Sequence, residues 1–170
     1  MKRTLSRYLA RLLLLIPLAA TAEPTLNVAI REEGGDKLYQ LTKENVVKQQ
    51  SLPTALSTPL GSLWKLYVYA WLTDRQITEA PYTCHGADKE EVYCCSPGEQ
   101  ITRDQALVRS CGLYFSPTRL NINPGEWQQY WQKQRSPGWL QQLSRLQPET
   151  RVPVSELLET LSTLPGREIA

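Results

Sequence analysis

Between residues 62 and 72 the chain reads Ser62-Leu63-Trp64-Lys65-Leu66-Tyr67-Val68-Tyr69-Ala70-Trp71-Leu72, apolar around the whole helical wheel apart from Lys65. A helix with no polar face must be surrounded by other elements. It is too short and too polar to cross a bilayer, which takes roughly 20 apolar residues. The segment is therefore predicted to be the central buried helix of a globular domain. Lys65 then becomes informative, because a buried ammonium is costly unless it is paired, hydrogen-bonded or neutral. The plain alternative is that its stem lies along the helix and its amine reaches water at the first turn.

The first 22 residues have the layout of an export signal: Lys2, Arg3, Arg7 and Arg11, then an apolar run through Leu18, then Ala20-Thr21-Ala22. Residues 1–22 are assigned as a leader and residues 23–170 as one domain, periplasmic or secreted, with no membrane attachment after cleavage. The leader holds four of the nineteen basic residues and none of the seventeen acidic ones, so its removal takes the net charge from +2 to −2. The mature chain has no clustered Lys/Arg footprint, which argues against nucleic acid as a partner.

Four cysteines, Cys84, Cys94, Cys95 and Cys111, fall within one stretch of this exported chain. An even count in an oxidising compartment favours disulfides. Adjacent Cys94 and Cys95 should not pair with each other. Two pairings remain open: 84 with 94 and 95 with 111, or 84 with 95 and 94 with 111. A zinc site using these cysteines and His85 is the competing reading, but the paired spacing usual for tetrahedral sites is missing. No cofactor is expected.

Residues 25–30 alternate as a half-buried strand, Glu33-Gly34-Gly35-Asp36 supplies a turn, and residues 37–42 resume the extended pattern, which predicts a hairpin. Residues 45–58 are polar and less periodic and read as a connection, broken by Pro53 and followed by Pro59. Thr102-Arg103-Asp104-Gln105 has the form of a capping box opening a short helix, and Gly112 reads as the left-handed residue that closes it. Trp127, Tyr130, Trp131 and Gln134 share one helical face, a stripe that more often marks core than a sugar-stacking platform. Val154, Leu157, Leu158 and Leu161 mark a last amphipathic helix. The fold class is α+β, an N-terminal β-hairpin followed by a mostly helical region.

Ser62 stands three residues before Lys65 at the start of the apolar helix, which places both side chains on one face with Cβ atoms about 5–6 Å apart. A neutral Lys65 could take the Ser62 proton and make the serine a nucleophile toward an acyl carbonyl. A second serine follows 48 residues later in Ala106-Leu107-Val108-Arg109-Ser110-Cys111-Gly112-Leu113-Tyr114-Phe115.

With Leu60-Gly61-Ser62-Leu63-Trp64-Lys65 and this second segment, the chain resembles the penicillin-binding transpeptidases and serine β-lactamases. The resemblance implies an incomplete fold of that kind, with Ser62 as acylated nucleophile, Lys65 as general base and Ser110 as proton relay. It implies a peptidoglycan stem peptide or a β-lactam as ligand. Two features depart from the pattern: position 112 is Gly rather than Asn, and no Lys-Thr-Gly triplet follows Ser110. Without that triplet one oxyanion-hole donor is missing, so the chain is expected to be either the front of a longer protein or a descendant that has given up turnover. The alternatives are a non-catalytic envelope-assembly or binding module, with other envelope proteins among its partners, and a disulfide-stapled adaptor.

Overall fold

The expected central helix, α1 (Trp64–Asp74), is entered through one 3-10 turn at Gly61–Leu63. The computed structural model describes residues 24–89 and 91–164, so the assigned leader lies outside the described residues. Trp64, Lys65, Tyr67, Val68, Ala70, Trp71 and Leu72 are all buried, which spreads burial around the helix as its composition requires.

Helices from the second half of the chain provide that burial: α3 (Pro124–Lys133), α4 (Gly138–Gln141) and α5 (Val154–Ser162). Tyr67 meets Trp131 and Trp139 edge-on, with ring centroids 5.9 and 5.5 Å apart. Trp71 lies 5.8 Å from Trp127. The Tyr67 hydroxyl finds its partner in Thr160 Oγ1 at 2.6 Å, so a polar atom in the core is satisfied by a helix 93 residues away. The aromatic stripe of α3 is thus core. Trp127 and Trp131 are almost fully buried, while Tyr130 reaches Asp74 of α1 at 2.9 Å. α3 starts where Asn123 accepts from the amides of Gly125 and Glu126 and Pro124 occupies the first helical position.

The predicted hairpin is present as β1 (Leu26–Ile30) and β2 (Lys37–Leu41), paired antiparallel from Leu26↔Leu41 to Ile30↔Lys37. A third strand, β3 (Val46–Ser51), continues the sheet in the order β1-β2-β3, where the sequence reading expected a connection. The reason is its exposure, with Lys48, Gln49 and Ser51 all exposed. A strand with one neighbour and substantial exposure can carry Lys48, Gln49, Gln50 and Ser51, so the alternation that marks a half-buried strand is absent.

Two further pairs, β4 (Ser57–Pro59) with β7 (Arg151–Pro153) and β5 (Tyr82–Thr83) with β6 (Gln100–Ile101), are short antiparallel clasps. α2 (Arg103–Val108) opens with the capping box read from the sequence: Thr102 accepts from Gln105 N, and the Gln105 side chain accepts from Thr102 N. Among the described residues the protein is a mixed α and β fold with five α-helices and three small antiparallel sheets.

Trp127 Nε1 donates to Leu140 O at 2.7 Å and ties α3 to α4 inside the core. Trp127→Phe removes the donor, orphans the carbonyl and leaves a cavity, and it is expected to lower stability by about 2 kcal/mol in urea unfolding.

Candidate functional site

Ser62 is held in place by a segment nearly a hundred residues further along the chain. Residues 57–59 pair with 151–153, and beyond the pairing Leu60 N donates to Thr150 O and Gly61 N to Pro148 O, both at 2.9 Å. Arg151 adds bonds from Nε to Ser57 Oγ at 3.2 Å and from Nη2 to Ser57 O at 2.7 Å. The chain then turns sharply into the 3-10 turn at Gly61, whose φ of +52° is left-handed and favours glycine.

Lys65 is only 9% exposed, and its Nζ is ringed by oxygens: Ser62 Oγ at 3.1 Å, Ser110 Oγ at 2.9 Å and Ser110 O at 2.8 Å. Ser110 Oγ in turn donates to Ser62 Oγ at 3.0 Å. The three residues singled out in the sequence therefore form one hydrogen-bonded cluster, with a buried amine beneath two exposed serines. Lys65 does not run out to water, because the α2 end closes over it. Its Nζ also lies 5.8 Å from the Trp64 ring centroid.

Ser110 takes this position in a left-handed backbone conformation, with φ of +57°. The sequence reading placed that conformation at Gly112, and the structure moves it two residues upstream. Cys111 N then donates to Ala106 O at 2.8 Å and closes α2. A serine at positive φ is uncommon and mildly strained, and here it turns both the carbonyl and the hydroxyl of one residue toward Lys65.

Several bonds hold the strained turn. Cys84 is bridged to Cys95 and Cys94 to Cys111, which selects one of the two pairings left open by the sequence. The second bridge anchors the residue next to Ser110. The two bridges lie side by side, with Cys94 and Cys95 sulfurs 3.4 Å apart. That packing gathers the sulfurs of Cys84, Cys94 and Cys95 within 4.8 Å of one another, and no described cysteine is a free thiol. His85 lies beside them, its Nδ1 3.5 Å from Glu91.

Glu91 organises this loop, although nothing in the run Asp88-Lys89-Glu90-Glu91 distinguishes one acid as buried. It is 1% exposed and accepts from Tyr82 Oη, from His85 N at 2.8 Å and from Gly86 N at 2.5 Å. The Tyr82 hydrogen bond, followed by those backbone amides, outweighs burial and lowers its pKa to about 2. On the other side of Ser110, burial pushes Glu79 upward. Hydrogen bonds from Arg103 and Tyr114 reverse this and bring it to about 2. Glu79 thereby ties the first residue of α2 to Tyr114, bracketing the serine. Glu79 escapes sequence reading because its partners lie 24 and 35 residues away, and Glu91 because backbone amides, which carry no sequence signal, supply part of its cradle. A cleft of about 650 Å³ adjoins the cluster; Trp64 and Gly112 belong to its wall, while Ser62, Lys65 and Ser110 do not.

Residues 86–170 match the family model described as predicted secreted protein (DUF2300). Over 165 residues, 96% of the chain, the sequence is 54% identical to a protein of Escherichia coli (strain K12) named Uncharacterized protein YfaQ. The match covers 30% of that relative, so the chain spans less than a third of its length. No solved structure matches the chain. These findings overturn the resemblance to penicillin-binding transpeptidases and β-lactamases: the matches fall to a secreted family of its own, and none falls to those enzymes. The physical reason the motifs misled is that helix geometry brings any Ser and Lys at i and i+3 together, whatever the ancestry.

The two depressed carboxylates set the acid response. Their charged forms are favoured by folding, so the stability they contribute is complete above the unfolded value of 4.5 and is lost as pH falls through about 2. The melting temperature is expected to hold steady from neutral pH down to about 5 and then to fall toward pH 2. Glu91→Gln should melt lower at neutral pH and show a shallower fall across that window in circular dichroism.

Proposed function

This chain belongs to the DUF2300 family of predicted secreted proteins, and from that premise we propose that it is a non-catalytic binding module of the cell envelope. Its Lys65, Ser62 and Ser110 cluster receives a carboxylate or carbonyl oxygen of the ligand. The observation that carries this reading is the ring of three oxygens around the buried Lys65 Nζ. These acceptors suit the N–H donors of an ammonium, and the amine serves as a fixed cation. Ser62 Oγ already accepts from Lys65 and Ser110, which leaves its own O–H to be donated to a ligand. An exposed hydroxyl backed by a buried cation is a donor site suited to the carboxylate end of a peptide, and a peptidoglycan stem peptide has that chemistry. Other envelope proteins reach the same site through a C-terminal carboxylate.

A second reading rests on the direct 3.1 Å contact between Ser62 Oγ and Lys65 Nζ. With its amine neutral, Lys65 takes the Ser62 proton, Ser62 Oγ bonds to an acyl carbon, and the leaving group departs with the proton returned to it. Ser110 bridges the two groups and offers a second route for the proton.

Titration calorimetry with a soluble stem tripeptide bearing a free carboxylate tests the first reading. Lys65→Met is expected to weaken binding roughly tenfold or more, and Ser62→Ala by a smaller factor, with both variants retaining the wild-type near-ultraviolet circular dichroism. Wild-type affinity in folded Lys65→Met and Ser62→Ala would overturn it. Intact-mass analysis after exposure to a fluorophosphonate decides the second reading: one adduct on the wild type and none on Ser62→Ala supports a nucleophilic serine, and an unmodified wild type removes it.

A further inference from the structure

The cleft beside the cluster has a lining unlike the rest of the molecule. Fourteen residues form its wall and none is ionisable, although 21% of the chain is charged and about three would be expected. In their place stand four glutamines, Gln128, Gln141, Gln142 and Gln147, with two serines and a threonine. Its volume of about 650 Å³ is in the range that holds a small-molecule or short oligomeric ligand.

The amides are arranged for use. Gln141 Nε2 donates to Ser136 O at 2.6 Å and Gln142 Nε2 to Gly138 O at 3.2 Å, which fixes both side chains and leaves their carbonyl oxygens to accept. The Gln128 and Gln147 side chains have no hydrogen-bond partner among the described residues, so each offers both a donor and an acceptor. Between these polar groups, Leu113 and Leu143 supply apolar wall.

We propose that this cleft is a binding site for a neutral oligosaccharide. A sugar ring presents hydroxyls that donate and accept, matching side-chain amides, and apolar C–H faces, matching leucine; it needs no counter-charge. A charged ligand finds no partner in the wall. An extended peptide finds no strand edge, since the wall is made of helices, a 3-10 turn and loops, and strand addition is how backbone recognition usually works. The inference does not depend on the function proposed for Lys65, because none of that cluster's three residues lines the cleft and the ligand carries no carboxylate.

The test is calorimetric titration of the exported chain with the β-1,4-linked trimer of N-acetylglucosamine, alongside a capped neutral tripeptide of similar size. The trimer is expected to bind with an affinity that does not change between low and high salt, because no ion pair contributes. Gln128→Ala and Gln147→Ala should each weaken it by about fivefold or more. Ser144→Trp, at an exposed position in the wall, should block the cleft and abolish binding without altering the melting temperature. Absence of trimer binding by the wild type would overturn the proposal. So would trimer binding that survives Ser144→Trp, or displacement of the trimer by the capped tripeptide. Failure of the carboxylate peptide to bind in the separate titration bears only on the Lys65 cluster.

Discussion

The structure is organised around one amine placed inside an otherwise apolar helix. Lys65 sits on α1, where burial is spread around the helix, and removing an ammonium from water costs several kcal/mol unless its hydrogen bonds are replaced. Oxygens of Ser62, in the turn before the helix, and of Ser110, at the end of α2, supply such bonds. Both must be held against it, and much of the surrounding structure can be read as the means of holding them. The clasp of residues 148–153 fixes the approach to Ser62. The Cys94–Cys111 bridge anchors the residue after the left-handed turn at Ser110.

This arrangement couples the two halves of the chain. The helix and the nucleophile-like serine lie in the first half, and the core aromatics, the clasp and the second serine lie in the second. The second half is also where the family model matches, over residues 86–170. The neutral cleft follows the same division, since apart from Trp64 its wall comes from residues 112–147.

Local features were legible in the sequence. The all-round apolar run gave α1, the capping box gave the start of α2, and the Trp127 and Trp131 spacing gave a core face. The spacing of Ser62 and Lys65 fixes their proximity through helix geometry alone. What was not legible depends on the tertiary arrangement. β3 hides because its run Lys48-Gln49-Gln50-Ser51 is polar at every position, so no alternation marks it. Glu91 hides because an acid in a charged run looks solvated until Tyr82 and two amides are seen to converge on it. The positive φ falls on Ser110 rather than Gly112 because the carbonyl of Ser110 is wanted by Lys65, a demand that residue propensity does not contain. The short motifs suggested a wider kinship that the family matches replace, which shows how little ancestry a triplet of residue types carries.

The dependence of α1 on its late partners has a consequence for the order of folding. Tyr67 waits for Thr160, and Trp71 for Trp127, so α1 is made long before its cover exists. Contacts of such long range close slowly, and exposed apolar helices are what aggregates while they do. A chain built this way leaves its central helix uncovered until residues 127–160 have taken their places.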